Sequence, residues 1–127
     1  MPNYDSTRFE PPAPLAIVTL RNPLDSSFRA EALMLLDSGA DVTLLPQAAV
    51  VQLGIPLVSD SLYQLAGFDG TTSLSPVVQL DILFLGKTFR GQFLLIDREW
   101  GVIGRNLLNY LRILLDGPQL NWKEVKW

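Results

Sequence analysis

The sequence predicts an all-β domain with one or two short helices, on three observations. Its apolar stretches are short and several alternate at period two; Gly, Pro, Asn and Asp punctuate them at close intervals; and helical spacing is confined to brief segments. Residues 1–14 carry Pro11, Pro12 and Pro14 among polar neighbours and read as an extended N-terminal arm outside the packed core. The domain proper spans residues 15–127.

Residues 15–20 form a β-prone run stopped by Asn22 and Pro23, after which Phe28, Ala30, Ala32 and Met34 alternate with Arg29, Glu31 and Leu33. That predicts two paired strands. The second continues through Leu35 and Leu36 into a polar turn, Asp37-Ser38-Gly39-Ala40-Asp41. Residues 42–45 resume an apolar strand, and Pro46 at a first helical position, followed by Ala48, Ala49, Val50, Val51 and Leu53, predicts a short helix ended by Gly54. Residues 61–66 are a further strand, and Gly67-Phe68-Asp69-Gly70 contains an Asp-Gly pair that favours a hairpin tip. Val78, Leu80, Ile82 and Phe84 share one face, Gly86-Lys87 turns the chain, and Phe89, Phe93 and Leu95 return. Asp81 and Glu99 read as solvated surface charges. Residues 101–110 predict a strand feeding a short helix through Gly104, and Asp116-Gly117-Pro118 joins a terminal hairpin. Trp100, Trp122 and Trp127 read as core or interface anchors.

A chain of 127 residues, 48% apolar and 18% charged, fits one globular domain. Its net charge of −3 provides no basic footprint for nucleic acid or an anionic membrane surface. No apolar run approaches the roughly 18 residues that span a bilayer, so a soluble protein is expected. The absence of Cys is compatible with the cytoplasm without fixing the compartment. The absence of both His and Cys excludes Ser-His-Asp triads, Cys-His dyads and histidine-ligated zinc. Hydrolysis would have to run on carboxylates, hydroxyls, lysine or a hard metal ion.

The Asp37–Asp41 loop is therefore the segment most able to carry chemistry. Burial beside two strands favours a protonated carboxyl, while neighbouring hydroxyl and amide donors favour the charged form. Gly39 lets backbone N–H groups approach Asp37, and the Ser38 hydroxyl can brace the loop. The plainer reading is an Asx-turn joining two strands. A metal site built from Asp37 and Asp41 lacks the further oxygen ligands of a calcium loop.

The run Leu36-Asp37-Ser38-Gly39-Ala40-Asp41 resembles the active-site signature of the retropepsins, the retroviral and retrotransposon aspartic proteases. Downstream, Val102-Ile103-Gly104-Arg105-Asn106-Leu107-Leu108 is similar to the second signature of that family. The hairpin at Gly67, Phe68, Asp69 and Gly70 lies between the two, where the family places its flap. Leu120-Asn121-Trp122 resembles the C-terminal strand with which retropepsin protomers interleave, and residues 123–127 extend past the usual end. The resemblance covers residues 15–122 and has no counterpart for the arm.

The resemblance implies a retropepsin-like acid protease fold, one lobe per chain, active as a symmetric homodimer on a peptide or protein substrate without a cofactor or metal. Asp37 would be the catalytic aspartate, Ser38 the hydroxyl bonding across the dimer, and Gly39 the close-approach glycine. Ala40, Asp41 and the hairpin Gly67, Phe68, Asp69 and Gly70 would contact substrate, and Arg105 would form a structural ion pair with Asp41. Val42 stands where viral members carry a second acidic residue. Catalysis would need one ionised and one protonated carboxyl in contact. The chain has one Asp-Ser-Gly, Asp116-Gly117-Pro118 lacks the hydroxyl residue, and the chain is too short for two lobes. The alternative function is a noncatalytic retropepsin-fold module that grips extended peptide or dimerises.

Overall fold

Period-two alternation builds the two central strands, β2 (Ala13–Arg21) and β3 (Arg29–Leu36), where β1 is Tyr4–Asp5; β2 and β3 pair antiparallel from Leu15↔Leu35 to Arg21↔Arg29. Their shared inner face buries Ala16, Val18, Leu20, Ala30, Ala32 and Met34. The computed structural model describes residues 2–55, 62–66 and 72–126, of which 62–66 and 72–75 are described by their backbone. Strand β4 (Leu44–Pro46) leads into helix α1 (Gln47–Val51). Pro46 is its N-cap, with φ −62° and ψ 124°, so the helix begins at Gln47, one residue later than the sequence predicts. Gly54, at φ 65°, lies just beyond the helix, as expected of a terminating glycine.

Strand β5 (Leu62–Ala66) pairs antiparallel with the start of β6 (Thr72–Phe84), Ala66 opposite Thr72. The expected tip at Gly67, Phe68, Asp69 and Gly70 lies outside the described residues, as does Trp127. Strand β7 (Lys87–Ile96) returns from β6 with Phe84 opposite Lys87. The two connecting residues are Leu85 at φ 53° and Gly86 at φ 76°. Two positive φ values mark a type I′ turn, whose twist matches the flanking strands, so the turn sits one residue before the predicted Gly86-Lys87. The chain then forms β8 (Gly101–Ile103), α2 (Arg105–Leu108) and the terminal hairpin β9 (Ile113–Asp116) and β10 (Asn121–Glu124).

The main sheet runs β1-β2-β3-β8-β4-β7-β6-β5, and an additional β2–β6 pairing from Thr19↔Leu83 to Arg21↔Asp81 closes it on itself. This barrel-like closure leaves Leu45, Leu53, Val78, Leu80, Ile82 and Ile103 fully enclosed. Truncating one such leucine to alanine costs about 2–5 kcal/mol, the transfer loss plus the cavity left behind. Trp122 from β10 is 1% exposed, and its Nε1 donates to the Leu15 carbonyl at 2.9 Å. The terminal hairpin is thus anchored in the core of its own chain.

The N-terminal residues are extended but not detached. Tyr4 packs against the core, and β1 pairs with the start of β2. The Tyr4 N–H donates to the Leu120 carbonyl at 2.8 Å, and the Trp122 N–H donates to the Pro2 carbonyl at 3.1 Å. Asp5 accepts from the N–H groups of Arg8 and Thr7 and from the Thr7 hydroxyl, while Arg8 bridges Asp5 and the exposed Glu99. Those bonds, the Arg8 N–H foremost, hold the Asp5 carboxyl at about 2.

Asp81 is not a solvated surface charge; it is fully buried. The register sets Arg21 on one side of it and Arg90 on the other, across β2, β6 and β7. Arg90 Nε donates to Oδ1 at 2.8 Å and Arg21 Nη2 to Oδ2 at 2.9 Å. The two guanidiniums cover the carboxylate that alternation would have left facing water. Arg90 first and Arg21 after it hold the Asp81 carboxyl below the ordinary carboxylate range against the opposing effect of burial. Among the described residues no helix is long and apolar enough to cross a membrane.

Candidate active site

The two sequence signatures meet because of strand register. β3 and β8 are parallel neighbours, with Met34 opposite Gly101 and Leu36 opposite Ile103, so the next residues, Asp37 and Gly104, leave the sheet side by side. The Asp37 N–H donates to the Ile103 carbonyl at 3.0 Å, extending the ladder by one rung. β8 also touches β4, Val102 opposite Leu44, so the strands on both sides of the Asp37 loop flank the second signature.

Within the loop, Asp37 Oδ1 accepts from the Gly39 N–H at 2.9 Å, and the Ala40 N–H reaches the Asp37 carbonyl at 3.2 Å. This is the Asx-turn that the sequence allows, and it fixes the carboxyl's orientation through one oxygen. Asp37 is half-buried, whereas Ser38, Gly39 and Asp41 are exposed. Ala40 is half-buried; its carbonyl accepts from the Arg105 N–H at 2.8 Å, which ties the loop to the start of α2.

Arg105 departs from its expected role. Its Nη1 donates to the Ser38 carbonyl at 2.7 Å, and among the described residues it forms no ion pair with Asp41. The guanidinium therefore braces the loop through its backbone while the Asp41 side chain faces solvent. The link between the two signatures exists, but a carbonyl accepts it.

One positioning residue, Thr43, escapes a sequence reading. Thr43, 1% exposed, takes the Gly104 N–H on its hydroxyl oxygen at 3.1 Å and donates to Asn106 Oδ1 at 2.7 Å. A lone hydroxyl residue in the apolar run 42–45 was the available signal, and Asn106 in the second signature was its partner. Gly104 has no room for a side chain: a Cβ there would collide with the Val42 carbonyl and approach the Ala40 carbonyl at 3.0 Å. Close approach of two backbones requires glycine at this position. Beside the loop, Ser38 lines an apolar groove of about 220 Å³ with Leu36, Leu108, Leu111, Ile113 and Leu115.

Comparison with solved structures then gives this arrangement a family context. The EIAV protease complexed with the inhibitor HBY-793 matches with a TM-score of 0.55 at 24% identity, over 77% of this chain and 86% of that one. The chain has the retropepsin fold. A foamy viral protease-reverse transcriptase in complex with an RNA/DNA hybrid also matches, with a TM-score of 0.53 at 16% identity, over 77% of this chain and 12% of that one. No protein-family model and no curated protein matches the sequence. The likeness is one of fold, and within the retropepsin fold Asp37 stands at the end of a central strand on a loop braced from beneath.

Proposed function

We propose that the chain is one protomer of a homodimeric aspartic endopeptidase in which each copy contributes Asp37. The observation that carries this reading is the Asp37-Ser38-Gly39 loop itself. Its backbone is hydrogen-bonded to Ile103 at Asp37 and to Arg105 at the following Ala40, with one carboxylate oxygen held by the Gly39 amide. A lone carboxylate cannot both accept a proton from water and donate one to a carbonyl. Two in contact can, because like charges so close cannot both ionise.

In the proposed reaction, the ionised Asp37 takes a proton from water as its oxygen attacks the peptide carbonyl carbon. The protonated Asp37 of the second copy hydrogen-bonds the carbonyl oxygen. The tetrahedral adduct breaks the C–N bond as the amine nitrogen takes the proton that the first Asp37 removed from water, which returns that carboxyl to its ionised form. The Ser38 hydroxyl would bond across the dimer. Ala40, Asp41 and the segment at Gly67, Phe68, Asp69 and Gly70 would hold an extended peptide. No cofactor is required by this chemistry.

The test is hydrolysis of a mixed peptide library at several acidic pH values, with and without a hydroxyl-containing transition-state mimic such as pepstatin. Cleavage that the mimic blocks, and that folded Asp37→Asn lacks, is the expected result. Asn keeps the shape and removes the titrating group. Residual cleavage by a pure, folded Asp37→Asn dimer would remove Asp37 from the mechanism. Peptide binding without cleavage by the unaltered chain would favour a noncatalytic module.

A further inference from the structure

The barrel closes along β2, and its seam is incomplete. On the side of β2 away from β3, pairing with β1 ends at Pro14↔Tyr4 and pairing with β6 begins at Thr19↔Leu83. Among the described residues no strand lies beside residues 15–18 on that side. An uncovered strand edge is a template for another strand. The gap opens into a groove of about 680 Å³ between the N-terminal residues and the β6–β7 turn, and no residue of the Asp37–Asp41 loop lines it.

Hydrogen-bond direction shows which backbone groups face the gap. The Asn22 N–H donates to the Phe28 carbonyl at 3.0 Å, so Asn22 turns toward β3, and by alternation Leu20, Val18 and Ala16 do the same. Ile17 and Leu15 therefore turn away from β3. The other end of the strand agrees, because Trp122, which lines the groove, donates from Nε1 to the Leu15 carbonyl. The Ile17 N–H and C=O are left aimed into the groove, where Leu85 turns away at φ 53° instead of continuing β6 opposite them. The Ile17 side chain is 64% exposed, and Leu33, Leu83, Leu85 and Trp122 supply apolar walls. The lining holds no Lys or Arg, and its one carboxylate, Asp5, is already bonded by Thr7 and Arg8. An anionic occupant would find no counter-charge there, and a cationic one no unpaired carboxylate.

We infer that this gap binds a short extended peptide with an uncharged apolar residue at its centre, which pairs antiparallel with Ile17 and exchanges both hydrogen bonds with it. The flanking pairings of β2 with β1 and β6 are both antiparallel, and the same sense lets one incoming residue meet both Ile17 groups. Pro14 and Thr19 are five residue steps apart, about 17 Å, which leaves room for about three residues between the two flanking strands. The central side chain falls on the face that Ile17 shares with Leu33 and Leu83. The peptide contact stands apart from the shared-carboxylate reading; in a protease it serves as an exosite that holds substrate away from the bond being cut.

The probe is acetyl-Leu-Val-Leu amide, titrated into isotope-labelled Asp37→Asn chain so that no cleavage intervenes. Saturable amide shifts in the NMR spectrum centred on Ile17 and Leu83, with slowed exchange of the Ile17 N–H, are the expected result. N-methylation of the central Val removes one donor and should weaken binding about tenfold, as should a central Glu. Equal affinity of the methylated peptide would show that the groove takes apolar surface without backbone pairing, and would overturn the inference. On the protein side, Ile17→Pro removes an N–H that the strand ladders do not use, at an edge position where proline is tolerated, and should also weaken binding about tenfold. Ile17→Glu, at an exposed position, keeps the strand and should abolish binding. Folding of each variant is checked by circular dichroism, and undiminished binding by folded Ile17→Glu would place the peptide elsewhere. Cleavage by the unaltered chain with no shift at Ile17 would sink the groove and leave the shared-carboxylate reading standing. Shifts at Ile17 with no cleavage would do the reverse.

Discussion

At Asp37 the decisive feature is how little freedom the carboxyl retains. One oxygen is held by the Gly39 amide, and the loop's backbone is anchored to Ile103 and Arg105. Thr43 is the keystone of that anchoring, since its buried hydroxyl serves Gly104 and Asn106 at once. Thr43→Val keeps the shape and orphans the Gly104 N–H, so it should cost about 1–3 kcal/mol of stability by denaturant titration. It should also lower kcat for peptide cleavage more than it raises KM, because it loosens the loop and not the substrate cleft. Unchanged stability together with unchanged kcat would remove Thr43 from the account. Gly104→Ala should destabilise by about 1–3 kcal/mol, since the Val42 carbonyl occupies the space a methyl group needs. A melting temperature equal to that of the parent would contradict it.

Among the elements, the β2–β6–β7 face depends on Asp81. Its carboxyl is held below the ordinary range by Arg90 and Arg21, so its folded-state pKa lies under the unfolded value near 3.9. The stabilisation is then complete above that unfolded value and is lost as pH falls through the folded one. Asp81→Asn should therefore cost about 1–3 kcal/mol at pH 7, because the amide keeps the shape but weakens the hydrogen bonds from two partly solvated guanidiniums. The gap to the parent should narrow below about pH 4. Urea midpoints at pH 7, 5 and 3 measure this, and a gap of constant size across the series would show that the pair is not what Asp81 supplies. Asp5, at about 2, keeps the arm's turn ionised through the acid range in which an aspartic protease would work.

The same elements show what a single sequence reveals. Strands β2, β3, β6 and β7 were legible because one face of each is apolar at period two, and the terminal hairpin because Asp116-Gly117-Pro118 breaks two β-prone runs. Burial of Asp81 was not legible, since its partners Arg21 and Arg90 lie on other strands and only register brings them together. The β6–β7 turn was displaced by one residue because Leu85 takes a positive φ that leucine does not advertise. At the site, the two signatures and their proximity could be read in the sequence. The acceptor chosen by Arg105 could not, because a backbone carbonyl has no sequence identity.

For the whole molecule, the fold places one Asp37 per chain at a barrel end, beside an apolar groove. The proposed shared site would make activity a property of the dimer, so the rate per chain should fall disproportionately on dilution below the dimer dissociation constant. A reaction that needs one ionised and one protonated carboxyl should give a bell-shaped dependence of kcat/KM on pH. The most direct measurement is the initial cleavage rate of a tandem-linked dimer carrying Asp37→Asn in one half, compared with the unaltered tandem at the optimum pH. The account predicts loss of essentially all activity from that single substitution; a tandem keeping half its rate or more would mean that each Asp37 works alone, and would contradict the shared-carboxylate mechanism.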